Sequence, residues 1–214
     1  MCKNIENLIF LLIGWMLGLV GSIVFDLYQR RKRKGDFMAV VLTELRALRY
    51  KMALLSFRMR AYTGNLEDVF LRWFQPIADE YNGPDKDPMA IDLFREFSSM
   101  SPEERKAYYA SFRQPNSFPK PVAYNMPFID AGISNLALCP TDFQLRILEI
   151  KEQLHFYNEQ VKFILGQFEK TFDPSIIGAN RKAILTNLDN GIEKLINRAK
   201  WIADNIKELD KIYG

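Results

Sequence analysis

Apolar positions recur along this chain in three different rhythms, and each rhythm predicts a different kind of segment. From Leu8 to Phe25 the run carries no charge, and carrying it on to Tyr28 adds only Asp26. At about 1.5 Å of rise per residue, residues 8–28 are long enough to cross a hydrocarbon layer of about 30 Å, so they predict one transmembrane helix. A heptad rhythm follows. Val41, Leu45, Leu48, Met52, Leu55 and Met59 advance by alternating steps of four and three, which predicts a helix over 36–62 with one apolar seam. The same rhythm returns in Phe143, Ile147, Ile150, Leu154, Tyr157, Val161, Ile164 and Phe168, and again from Ile184 through Leu188, Ile192, Leu195, Ala199, Ile202, Ile206 and Leu209 to Tyr213. The short Asp173-Pro174-Ser175 turn between these two stretches predicts an antiparallel hairpin, with Thr141 as N-cap of its first helix.

The third rhythm is irregular and aromatic. Residues 65–81 predict a shorter helix that Pro76 kinks or divides, and Asn82-Gly83-Pro84-Asp85 predicts a turn. Short helices are expected over 89–99 and 102–112; Ser101, Pro102 and Glu104 together form a capping box at the start of the second. Residues 113–140 hold Pro115, Pro119, Pro121, Pro127 and Pro140 among Phe118, Tyr124, Phe128, Ile129 and Leu136, too apolar for a free linker, and predict an ordered strap along the bundle. No convincing alternation of period two occurs, so the predicted fold is all-α: one N-terminal transmembrane helix, then an elongated cytoplasmic antiparallel helical bundle of three long helices with short central helices and a Pro-rich strap. The expected divisions are 1–7 as a short external N-terminus, 8–28 as the anchor, 29–35 as a basic collar, and 36–214 as the bundle, with 65–140 as its central part.

Charge gives the anchor a direction. The net charge of +3 over 214 residues averages two unlike regions: residues 30–60 carry ten Lys or Arg against Asp36 and Glu44, whereas 61–214 carry 18 basic and 22 acidic side chains. Arg30, Arg31, Lys32, Arg33 and Lys34 follow the apolar run directly, and only Lys3 and Glu6 precede it. That asymmetry places the C-terminal side in the cytoplasm and argues against a cleaved signal peptide, whose positive charges come first. The same five side chains are placed to meet anionic lipid headgroups. Cys2 and Cys139, the only cysteines, fall on opposite sides of the bilayer, so no internal disulfide is expected. Gly14, Gly18 and Gly21 share one helical face and predict close approach of a second copy within the membrane.

Candidate chemistry is sparse. His155 is the sole histidine, so neither a His-based metal site nor a Ser-His-Asp triad can be assembled, and no phosphate-binding, dinucleotide-binding or nucleophile-elbow motif occurs. Catalytic activity, a cofactor and a metal are therefore not expected, and His155 reads as a partly exposed neighbour of the Leu154 seam. Nucleic acid is not an expected partner, because the aromatics that would stack on bases lie far from the basic cluster. Those aromatics first read as packing for the short helices; Phe70, Trp73, Phe74, Tyr108 and Tyr109 form the candidate partner groove, rimmed by Asp79, Glu80, Asp92, Arg95 and Glu96. The layout of short N-terminus, single anchor, basic collar and helical domain resembles single-pass bacterial inner-membrane proteins, as does the entry from Met126 to Pro140 into a long helix; that resemblance implies a bacterial inner (plasma) membrane and carries no site residue. The expected function is a membrane-tethered, self-associating interaction or sensing module that holds a protein partner not identified by the sequence. The alternative is an oligomeric effector of the stress or phage-defence type that perturbs the bilayer through its transmembrane helix.

Overall fold

The computed structural model describes residues 2–112 and 119–214, with side chains over 11–110 and 119–214. The expectations for Cys2, Lys3, Glu6, Phe112, Pro115 and Phe118 lie outside those side chains. Most of the described residues are helical, with one long apolar helix at the N-terminus and no strand among them. The predicted anchor and the first seam are one element, α1, running unbroken from Cys2 to Thr63 over 62 residues, about 93 Å at helical rise. Gly35 does not interrupt it. A helical Gly costs only about 1 kcal/mol relative to Ala, the neighbouring Lys and Arg are good helix formers, and Arg30 pairs with Asp26 at 3.1 Å one turn away.

Three short helices follow: α2 (Asp68–Glu80), α3 (Pro88–Ser99) and α4 (Pro102–Phe112). Pro76 sits inside α2 without dividing it. The expected capping box closes α4: the Ser101 N–H donates to Glu104 Oε2 at 2.7 Å, and the Glu104 N–H donates to Ser101 Oγ at 3.2 Å. In α3, which begins at Pro88, the Asp87 side chain accepts from the Ala90 N–H. The strap differs from expectation. Residues 119–126 form no helix or strand, but two helical turns then form, α5 (Pro127–Ala131) and α6 (Ile133–Leu136). Both are held from outside: the Glu44 carboxylate on α1 accepts from the N–H groups of Phe128 and Ile129 at 3.0 and 3.1 Å, and Gly132 abuts Phe37 so closely that a Cβ there would collide with its ring. The irregular part is fastened to the long helix after it, where Asn158 both donates to the Tyr124 carbonyl (2.8 Å) and accepts from the Tyr124 N–H (3.0 Å), and the Tyr157 hydroxyl donates to Val122 O.

The last two helices are α7 (Thr141–Lys170) and α8 (Gly178–Tyr213). Thr141 is not the cap of α7 but its first residue. Pro140 occupies the cap position without a side-chain cap hydrogen bond, and the Gln144 side-chain amide donates to the Cys139 carbonyl. At the hairpin turn Asp173 accepts from both the backbone and the hydroxyl of Ser175, and Gly178 takes the left-handed conformation (φ 58°) that starts α8.

Helix α8 packs on both α1 and α7, and paired side chains fix the directions. Arg46 meets Asp210 while Arg60 meets Glu193, so α1 and α8 run antiparallel; Gln153 meets Arg198 while Gln160 meets the Gly191 carbonyl, so α7 and α8 do too. The three predicted seams bury one another in a first core that includes Leu45, Met52, Ile150, Tyr157, Leu195 and Ile202. A second core lies on another face of α1. There Tyr50, Ala53, Leu54, Phe57 and Ala61 pack against Phe70, Phe74, Ile77, Phe94 and Phe97 from α2 and α3. Helix α1 is thus a wall shared by two cores from Leu48 onward, while its N-terminal half touches neither.

Candidate functional site

A broad concavity lies where α1 emerges from between its two cores. It is a cleft of about 940 Å³, inside the volume range of small-molecule sites. Helix α1 supplies its floor from Ala39 to Lys51, with the small side chains of Val40, Thr43 and Ala47 successive on one face. The end of α2 and the following turn, Ile77 and Glu80 to Asp85, form one wall; Tyr124, Asn125, Pro127 and Phe128 form another. Tyr50 and Tyr81 stack at 4.3 Å between centroids, only 12° from parallel, and the Tyr50 hydroxyl accepts from the Asp87 N–H at 2.9 Å. Gly83 lets the Tyr81 ring lie against the turn, because a Cβ at that position would meet the phenol end of the ring and the ring would have to shift.

Every charged residue lining the cleft already has a partner. Arg46 pairs with Asp210 at 2.7 Å, Arg49 with Glu80 at 3.1 Å and Lys51 with Asp85 at 2.9 Å, and Glu44 is committed to the backbone of α5. The hydrogen bond from Arg46 to Asp210 is the main cause that raises the guanidinium pKa above its ordinary value. Burial raises the phenol pKa values of Tyr50, Tyr81 and Tyr124, keeping all three neutral. The lining that remains for a ligand is mainly apolar and aromatic, with Thr43, Asn82, Asn125 and Arg49, whose buried Nε has no hydrogen-bond partner among the described residues, as its polar points.

No protein-family model, curated protein or solved structure significantly matches this chain.

The structure separates the residues singled out from sequence. Phe70 and Phe74 are buried in the second core, where Phe74 lies 5.0 Å from the Phe57 ring and 5.1 Å from Phe94. Trp73 is half-buried: its indole N–H donates to Asp204 of α8 at 2.7 Å, and the Lys200 ammonium lies 5.8 Å from its ring. Tyr108 and Tyr109 are half-buried against Phe97 at 5.2 and 4.7 Å, and burial raises the Tyr109 phenol pKa well above its usual value. Asp79, Glu80, Asp92, Arg95 and Glu96 are exposed, with Arg95 on Asp92 and Glu80 on Arg49. His155 is exposed beside Phe156.

On the N-terminal half of α1, a Cβ on Gly14, Gly18 or Gly21 would meet no atom of the chain within 4 Å. Arg30, Arg31, Lys32 and Arg33 are exposed and Lys34 is half-buried. Among the described residues no three of His, Cys, Asp and Glu converge as metal ligands. Sequence reading missed the cleft itself. Its only trace there is the succession Val40, Thr43, Ala47, whose small and partly polar side chains do not read as a seam.

Proposed function

We propose that this protein is a membrane-tethered helical binding module, with the apolar half of α1 in the bilayer, the packed domain in the cytoplasm, and the cleft on α1 as its binding site. One observation carries the reading: residues 11–28 of α1 are exposed almost throughout, with Trp15 and Leu17 64% and 67% accessible. An 18-residue window with a mean hydropathy of 1.9 has none of its residues buried within the chain. A soluble core helix would bury such a face, whereas a bilayer covers it on all sides without any protein partner. The basic collar supports an orientation with the domain inside and adds attraction to anionic headgroups.

Self-association through Gly14, Gly18 and Gly21 belongs to the same proposal, since the bare face leaves room for a second helix. The test is fractionation of cells producing the full chain, followed by oligomer mass in mild detergent. The reading expects the protein to stay in membranes through an alkaline carbonate wash, and a multimer that the double change Gly14→Leu, Gly18→Leu reduces to monomer. Release by carbonate refutes the tether. A multimer unchanged by the two leucines refutes the glycine face. Host toxicity that vanishes with the glycines would instead point to an effector that acts on the bilayer.

A further inference from the structure

We infer that the cleft on α1 binds the single acyl chain of a membrane-derived amphiphile, a fatty acid or a monoacyl lipid. The inference rests on the membrane-tethered reading and goes on to name the ligand of its site. Four observations lead to it. The floor runs along α1 from Ala39 to Lys51, about 18 Å at helical rise, so the site is a slot rather than a round pocket. Its volume of about 940 Å³ belongs to the class of small-molecule sites and is small for a polypeptide helix of that length. Each charged side chain along it already has a partner within the protein, so an ionic ligand would compete with Arg46–Asp210, Arg49–Glu80 or Lys51–Asp85, whereas an uncharged chain disturbs none.

The fourth observation is direction. At the Lys51 end the slot is bounded by the stacked Tyr50 and Tyr81, the Lys51–Asp85 pair and Tyr124. At the other end Ala39 and Val40 are exposed, and no residue before Ala39 contributes to the lining. That end faces the apolar half of α1: Val40 follows Tyr28 by twelve residues, about 18 Å along the same unbroken helix. A chain entering from the membrane side would lie on Val40, Thr43 and Ala47, between Ile77 and Tyr81 on one side and Tyr124 and Phe128 on the other. Its polar head would remain at the open end in water, below the basic collar. Binding then draws on burial of apolar surface, which the exposed Val40 and Phe128 side chains now leave to water.

The experiment is photolabelling of the full-length protein in native-membrane polymer discs with a palmitate analogue carrying a diazirine near the chain end, followed by peptide mapping. A parallel arm uses a lysophosphatidylethanolamine analogue with the same chain. The inference predicts crosslinks within 39–51, 77–85 or 124–128 in addition to 11–28, and loss of the former when unlabelled palmitate is added. The arm with the stronger competed labelling identifies the headgroup. Thr43→Trp fills the floor from an exposed position, so it should abolish cleft labelling while labelling of 11–28 and the thermal transition stay as in the parent. Labelling confined to 11–28 overturns the inference but leaves the tether standing, and the cleft would then fall to a polypeptide. Labelling of neither region overturns both.

Discussion

Truncation of Phe74 to alanine should loosen one of the two cores and largely spare the other. The ring is completely buried, stacked on Phe57 and within 5.1 Å of Phe94. A buried aromatic side chain removes about 150–250 Å² from water, worth about 4–6 kcal/mol at 25 cal/mol/Å² as an upper bound. Measured losses for Phe→Ala in packed interiors are about 3–5 kcal/mol. Taking about 4 kcal/mol, the opening equilibrium of the affected unit shifts by about a thousandfold. That unit should be α2 and α3 with the face of α1 they cover, because the first core is built from other residues of α1 together with α7 and α8. Amide hydrogen exchange on the detergent-solubilised chain reads this directly. Amides of α2 and α3 should exchange about two to three orders of magnitude faster in Phe74→Ala, with those from Ile150 to Ile164 and from Ile192 to Leu209 changing far less. Equal acceleration throughout would refute the division into two cores. No acceleration in α2 and α3 would refute the burial argument.

Asn158→Ala should free the strap: two hydrogen bonds to the Tyr124 backbone are lost, leaving a partly buried amide and carbonyl at a cost of about 1–3 kcal/mol. Urea unfolding should show that loss, and limited chymotrypsin digestion should cut after Tyr124 much earlier than in the parent. Alkaline stability follows from Tyr157 and Tyr124, whose burial raises the folded-state phenol pKa above the ordinary 10.0. Their contribution is fully present below about pH 10 and is lost as pH rises further, since only the unfolded chain then ionises readily. Chemical unfolding between pH 8 and pH 11 should show the decline, and Tyr157→Phe should flatten it; an equally steep decline in that variant would refute the assignment.

The fold was legible in the sequence to unequal degrees, for physical reasons. The seams at Val41 to Met59, Phe143 to Phe168 and Ile184 to Tyr213 were readable because each helix presents a face whose period survives in the residue order. The second face of α1 was not. Tyr50, Ala53, Leu54, Phe57 and Ala61 sit between the seam positions, and a helix buried on two sides loses the contrast that marks amphipathicity. The capping box at Ser101 and Glu104 was local and therefore visible, whereas α5 depends on the distant Glu44, and no short-range signal announces it. Aromatic density alone marks the candidate groove in the sequence, and the structure puts Phe70 and Phe74 of that set inside the second core. The cleft joins segments near residues 45, 80 and 126 that only the tertiary fold brings together. Its floor of Val, Thr and Ala carries no compositional signature.

The proposed crossing of a membrane by α1, with the packed domain left on the cytoplasmic side, is open to a direct chemical test. Ser175, exposed in the turn between α7 and α8, is the position to probe. Replacing it with cysteine in a Cys2→Ser background leaves Cys139 as the only other thiol, and that one is buried, with its pKa raised by burial so that it reacts slowly. A membrane-impermeant maleimide is then applied to intact cells and to inside-out vesicles. The account predicts labelling at position 175 in the vesicles and none in the cells; labelling in intact cells, or recovery of the protein in the soluble fraction, would contradict it.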